Sequence, residues 1–340
     1  MKRFIGIDLH RNCFTACTLA EDGRRYEKTW KIEKLHLFAS KLRETDQIAV
    51  EVTSNTRLFY DAVAGQAGRI VVVNPTQFKV ISHSVKKTDT NDARTLALYL
   101  SKGMLPEVRM KDKIHAQIAS LTQTRDKLVK LRTSLKNKVN NILSSHGINM
   151  KKEALSSEKG LEEVSGMMFD PIVDIELQVL VEQIRSLNES ISKLDTSIKN
   201  NGSKLEGYKN LKSIKGIGDT GAGILLSVIG DINDFADEGK LASYFGIVPR
   251  VNNSNETKHS GRITKQGNKL GRTTLIQCAM VAMRYSKYLS LFYERVKAKR
   301  GSGKAIIALA KKFLGIIYHT LKNNWVFEDF PGFVLAEQVG

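Results

Sequence analysis

Phe4-Ile5-Gly6-Ile7-Asp8 is an apolar run that stops on a carboxylate, and Ile48-Ala49-Val50-Glu51 repeats the arrangement further along the chain. Short apolar runs of this kind read as buried strands. Working outward, RFIGID, FTACTLA and RYEKTWKIE read as three successive strands, the first two joined through His10-Arg11-Asn12. A helix from Leu35 to Glu44 leads to QIAVEV. A second, from Thr56 to Gln66, leads to RIVVV, which Asn74-Pro75 stops. Strands alternating with helices predict an α/β fold, a mixed sheet with covering helices.

Asp8 and Glu51 end their strands, where rigid apolar neighbours can hold carboxylates in a shared cleft. KKTDTNDAR adds Asp89 and Asp92 at i, i+3, on one face if the segment is helical. Taken singly, each acid is an ordinary turn former or helix cap. As a set, strand-Asp, strand-Glu and a helical Asp pair suit a ribonuclease-H-like sheet. Four converging acids repel one another unless a cation neutralises them, and hard oxygen ligands select Mg²⁺ or Mn²⁺.

The 340 residues suffice for two domains and a connector, and 53 Lys+Arg against 35 Asp+Glu give a formal charge of +18. The excess is uneven. Thr257 to Phe327 holds fifteen Lys/Arg against one acid, Glu294, and Arg109 to Ser145 holds nine against Asp112 and Asp126. Solvated faces usually mix signs, so these stretches point to nucleic acid. Cys13, Cys17 and Cys278 form no CxxC pair, and the start Met1-Lys2-Arg3 is polar; both predict a reducing, cytoplasmic setting beside the nucleoid. Ala305 to Tyr318 is interrupted by Lys311 and Lys312, which excludes a bilayer span there. Gly301 to Lys304 spells GSGK, but Ala298 and Ala305 break the nucleotide-binding pattern.

The middle of the chain is helical. Ile114, Leu121, Leu128, Leu135 and Ile142 recur every seven residues, and Leu177, Leu180, Ile184, Leu187, Ile191, Leu194 and Ile198 alternate spacings of three and four. Such seams predict a coiled coil, within one chain or between chains, with ordinary packed amphipathic helices as the plainer alternative. The expected division is 1–105 as an α/β domain, 106–202 as a coiled-coil connector and 203–340 as a mostly helical domain. That last domain opens with LKSIKGIGDTGAGILLSVIGD, a helix-hairpin-helix pattern turning on Gly216-Ile217-Gly218. Its backbone N–H groups can hold a phosphate without reading sequence, although packing alone also explains the glycines.

GIDLH, AVEVTSNT and KKTDTNDAR resemble the D-E-D-D nuclease domain, similar to the RuvC resolvase, of the insertion-sequence-110 transposases, and the 1111 subgroup most. Gly246-Ile247-Val248-Pro249, Ser254 and Gly261-Arg262-Ile263-Thr264-Lys265-Gln266-Gly267-Asn268 resemble that family's C-terminal domain. The resemblance implies a ribonuclease-H-like fold with Asp8, Glu51, Asp89 and Asp92 as metal ligands and Ser254 as nucleophile. Asn255 stands where the family usually has glycine after that serine, and Ser260-Gly261 is a rival dipeptide. The resemblance also implies donor and target DNA, a structured guide RNA, and a dimer or tetramer whose subunits share active sites. Arg262, Lys265 and Arg272 are the expected phosphate contacts, together with Gly216 and Gly218. The expected activity is metal-assisted transposition through a phosphoserine ester. A site-specific invertase of the same superfamily, a hydrolytic junction resolvase and a non-catalytic DNA-binding protein are the alternatives.

Overall fold

A computed structural model of the chain describes residues 2–75, 77, 78, 88–151, 153–254 and 257–328, with the backbone alone at 251–254 and 257–260. It divides into two units, Met1–Met110 and Lys111–Gly340.

In the first unit β1 (Arg3–Leu9), β2 (Cys13–Ala20), β3 (Arg25–Lys31), β4 (Asp46–Glu51) and β5 (Arg69–Val73) form one sheet in the order β3-β2-β1-β4-β5. Tight turns make β1–β2 and β2–β3 antiparallel. The crossovers through α1 (Leu35–Ala39) and α2 (Thr56–Val63) make β4 parallel to β1, and β5 parallel to β4. Both helices are shorter than their sequence patterns suggest. The first stops at Ala39 because the chain turns to bury Asp46, which accepts from Arg43 N at 2.8 Å and from Arg3 Nε at 2.7 Å. The second stops before Gly65, whose φ of +80° cannot continue a helix.

Side chains alternate across a strand, so β1 serves two layers. Ile5, Ile7 and Leu9 join Phe14, Phe38, Phe59 and Val50 in the core beneath α1 and α2. Gly6 and Asp8 face the other way, toward α3 (Asp89–Ser101). There Ala49, Val71 and Val73 pack with Leu96 and Leu100, and Cys17 packs with Ala93 and Ala97. Gly6 permits this layer to close: a Cβ on it would lie 2.0 Å from Ala93 O and 2.5 Å from Ala97 N.

In the second unit α4 (Lys113–Ser145) and α6 (Pro171–Gly202) pack together antiparallel, with α5 (Glu158–Ser165) in the connection at their tip. Arg125 bonds Asp195 at 2.6 Å, Arg132 bonds Asn188 at 2.8 Å and Lys138 pairs with Glu176 at 2.9 Å, so rising numbers on α4 meet falling numbers on α6. Leu177, Ile184, Ile191 and Ile198 are buried along the seam of α6. On α4 the buried line includes Ile118 and Val139, positions offset from the sevenfold row read in the sequence. Asp112 caps α4 by accepting from His115 N at 2.9 Å, and Asp170 caps α6 ahead of Pro171.

The chain continues through α7 (Tyr208–Ser213), α8 (Asp219–Ile229), α9 (Glu238–Tyr244), the hairpin β6 (Pro249–Ser254) with β7 (Thr257–Ile263), and α10 (Lys269–Ala282), α11 (Lys287–Arg300) and α12 (Ser302–Lys322). Leu225, Phe245, Leu275, Phe313, Leu314 and Ile317 anchor this bundle, and Ile118 of α4 joins its core. The polar segment after Pro249 is a two-stranded ladder rather than the loop its composition suggests. Among the described residues no helix is long and apolar enough to cross a membrane.

Candidate active site

Asp8 lies near the carboxyl end of β1 on the face that α3 covers. The same alternation puts Glu51, two residues past Ala49, on that face at the end of β4. Thr88 caps α3, its hydroxyl accepting from Asn91 N at 3.3 Å, which sets Asp89 and Asp92 in the first turn. Negative charge is favourable at that end of a helix. Because Gly6 lets α3 lie against β1, this first turn arrives beside Asp8.

The resulting cluster has a member that the motif reading passed over. His10 Nε2 is 3.3 Å from Asp8 Oδ2 and 3.3 Å from Asp89 Oδ1. Ligand atoms of Asp8, His10 and Asp89 all lie within 4.8 Å of one another. Asp92, buried, acts on Asp8 electrostatically; Glu51 is not part of this mutually close group. Burial pushes the Asp8 carboxyl above the usual range, the charges of Asp89 and Asp92 add to the shift, and His10 opposes it. Such a centre favours a cation, and two carboxylates with an imidazole are donors that a divalent ion accepts. The turn carrying His10 is held from outside the cluster. Asn55 Nδ2 donates to His10 O at 3.0 Å and to Arg11 O at 2.9 Å. Thr56 Oγ1 donates to Glu51 O at 2.9 Å, bracing the turn on which Asn55 sits.

Ser254, Ser260, Arg262, Lys265 and Arg272, with Gly216 and Gly218, belong to the second unit. Ser254 closes β6 opposite Thr257, and Ser260 on β7 pairs with Val251. The rival serines therefore occupy different levels of one hairpin: Ser254 at its tip, Ser260 nearer its base. Asn255 lies outside the described residues. Below the hairpin, two segments are strapped together by close backbone contacts. Gly246 (φ +67°) and Gly267 (φ +106°) leave no room for a Cβ, which would lie 2.0 Å from Gln266 O and 2.1 Å from Tyr244 O respectively. Lys265 adopts φ +55°, uncommon for a residue with a side chain, and its N–H donates to Gly246 O at 3.1 Å. Arg272 Nη1 donates to Phe245 O at 3.1 Å and to Lys265 O at 3.4 Å, bracing the strap from α10. Arg262 and Lys265 are exposed beside it.

Gly216 (φ +111°) turns between α7 and α8 against the end of α10, where a Cβ would lie 2.7 Å from Ala282 N. Gly218 precedes α8, and no atom lies within 4 Å of the Cβ it lacks. The first turn of α8 already carries a carboxylate. Asp219 accepts from Tyr208 Oη at 2.7 Å and pairs with Lys212 at 2.9 Å and Lys199 at 3.4 Å. The bonds from Lys212 and Tyr208 hold its carboxyl down at about 2.

The strand order of the first unit, with carboxylates gathered where β1 meets the first turn of α3, defines a ribonuclease-H-like α/β domain. A DEDD transposase model of the IS110 type matches residues 5–148, and a model described as transposase IS116/IS110/IS902 family matches residues 208–294. The chain belongs to the IS110 family of transposases, enzymes that cleave and rejoin DNA. It is similar to the transposase of insertion sequence element IS1111A from Coxiella burnetii, 26% identical over 95% of this chain and 90% of the relative. It is also similar to the pilin gene-inverting protein of Moraxella lacunata, 27% identical over 96% of this chain and 98% of that one. The transposase of IS1328 from Yersinia enterocolitica is 23% identical over 95% and 98%.

Proposed function

We propose that this recombinase cuts DNA by direct attack of Ser254 on phosphorus, with Asp8, Glu51, Asp89 and Asp92 as the acidic centre and a structured guide RNA choosing donor and target. In this reading 1–105 is the nuclease domain, 106–202 the connector and 203–340 the serine domain, working in a dimer or tetramer. The observation that carries the acidic centre is the meeting of Asp8 and Asp89 within one ion's reach, with the buried Asp92 charge acting on Asp8. Asp8, Glu51, Asp89 and Asp92 would hold an Mg²⁺ or Mn²⁺ ion, which would supply positive charge for the phosphodiester's oxygens. The Ser254 hydroxyl forms the new O–P bond and loses its proton to solvent. One ester P–O bond breaks, and the departing DNA oxygen takes up a proton. The phosphoserine ester conserves the bond energy, so the hydroxyl of another strand can reverse the step without ATP. Arg262, near the base of β7, and Lys265, just past it, are both exposed and hold phosphate oxygens, and the basic helices from Arg272 to Lys322 hold the backbone. Resemblance to the family supports the serine and the guide RNA; the uneven positive charge supports a nucleic-acid partner.

Stalled reactions should contain protein joined to DNA that survives SDS and heat, and peptide mapping should place the DNA on Ser254. Ser254→Ala should lose the adduct and keep DNA affinity, while Ser260→Ala keeps both. Normal cleavage by Ser254→Ala with no adduct would sink the serine mechanism and leave a hydrolytic resolvase. DNA mapped to Ser260 would move the nucleophile to the other level of the hairpin. A second reading, site-specific inversion, draws on the pilin gene-inverting relatives. It predicts exchange between two sites flanking one segment, with no free excised element.

A further inference from the structure

We infer that His10 is a nitrogen ligand of the carboxylate centre and biases it toward Mn²⁺ over Mg²⁺. The inference rests on reading Asp8 and Asp89 as metal ligands. An octahedral ion with bonds of about 2.1 Å sets neighbouring ligand atoms about 3.0 Å apart and opposite ones about 4.2 Å apart. The observed separations of 3.3 Å from His10 Nε2 to each carboxylate, within a trio spanning no more than 4.8 Å, suit one such ion. The position is built into the backbone. His10 follows Asp8 by two residues, and the Asn55 amide pins both His10 O and Arg11 O, so the backbone that carries the ring is held at the rim of the centre by contacts that involve no metal.

The chemistry of the donor decides which ion gains. Mg²⁺ is hard, strongly hydrated and bound through oxygen. Imidazole suits the later first-row divalent ions, and Mn²⁺ accepts it alongside carboxylates. Replacing one oxygen ligand by His10 therefore costs Mg²⁺ affinity relative to Mn²⁺. The competing role for the ring is that of a counter-ion, an imidazolium neutralising Asp8 and Asp89. A divalent ion would have to displace it, so removing the ring would tighten Mg²⁺ and Mn²⁺ alike.

The two roles separate in a binding experiment that needs no DNA. The full chain, wild type and as His10→Gln, His10→Asn and Asp8→Asn, is titrated with Mn²⁺ while free ion is followed by electron paramagnetic resonance. Mg²⁺ is measured by competition, and electron spin-echo modulation reads nitrogen bound to Mn²⁺. Expected are ¹⁴N modulation in the wild type, its loss in both His10 variants, a Mn²⁺ affinity lower by roughly 10-fold and a Mg²⁺ affinity within about 2-fold of wild type. His10 is exposed, and the Asn variant covers a folding failure of the Gln variant. Mn²⁺ bound by wild type and lost in Asp8→Asn, but without nitrogen modulation, overturns the role of His10 alone. So does tighter binding of both ions in the His10 variants. Mn²⁺ binding that is equal in wild type and Asp8→Asn overturns the carboxylate reading as well.

Discussion

Replacing Gly6 by alanine would put a Cβ 2.0 Å from Ala93 O, 2.5 Å from Ala97 N and 2.9 Å from Leu96 Cβ. The first two are backbone atoms of α3, so no rotamer change relieves the clash; the helix itself must retreat. Comfortable contact begins near 3.4 Å, so the retreat is about 1.4 Å at that turn. Overpacking of this size costs about 1–3 kcal/mol, which a domain with the apolar layers described here can lose and still fold. The carboxylates fare worse. Ala93 follows Asp92 directly, so Asp89 and Asp92 ride the displaced turn away from Asp8 by far more than the roughly 0.2 Å that metal ligands tolerate. Cleavage should fall by about 100-fold or more, with Mn²⁺ binding weakened in step. The assays are strand cleavage on a labelled substrate, Mn²⁺ titration and thermal unfolding, all on the same preparation. A folded Gly6→Ala chain with wild-type Mn²⁺ affinity and cleavage would refute the argument that this glycine sets the spacing of the site.

Other expectations concern the second unit. Ile184→Asp buries a charge in the α4–α6 seam and should cost roughly 3–5 kcal/mol in chemical denaturation without changing the mass by light scattering, because the helix pair closes within the chain. Burial lowers the Lys111 ammonium to about 8, from an ordinary value near 10.5. Between those values the unfolded chain binds the extra proton, so stability contributed at this site rises with pH. Relative to Lys111→Met, the wild type should gain roughly 1 kcal/mol per pH unit from about pH 8 to 10, measured by urea unfolding. For Asp219 the slope has the same sign, but the window lies in acid. Its carboxyl is held down at about 2, so its contribution is present above about pH 4 and is lost as pH falls through 2. The stability difference between wild type and Asp219→Asn should vanish over that window in acid denaturation.

The strands were legible because each is an apolar run bounded by polar turns, and the pairing of Asp89 with Asp92 was legible from their spacing once Thr88 is recognised as a cap. His10 was not, because a histidine after a strand looks like a turn residue until Asp89 arrives from a distant helix to flank it. The hairpin around Ser254 was hidden for a different reason. From Asn252 to Arg262 the chain has no large apolar residue, so a ladder held by backbone hydrogen bonds leaves no alternating pattern to read. On α4 the sevenfold row of Ile and Leu was visible, but the second row, Ile118, Arg125, Arg132 and Val139, was masked by its arginines. Those arginines meet Asp195 and Asn188 across the seam, so positions that read as solvent in the sequence are cross-helix contacts in the fold.

The α4–α6 pair also has a mechanical meaning. Ile118 packs in the bundle core and Thr220 Oγ1 bonds Asp195 at 2.9 Å, while the tip is closed by its own cluster around Leu143, Leu155 and Leu161. From Ile118 to Ser145 the helix rises about 40 Å, the length of about twelve base-pair steps of B-form DNA. A beam fixed at one end multiplies rotation by its length. A tilt of about 10° where α4 leaves the bundle carries the tip about 7 Å, two base-pair steps, with no rearrangement inside either helix.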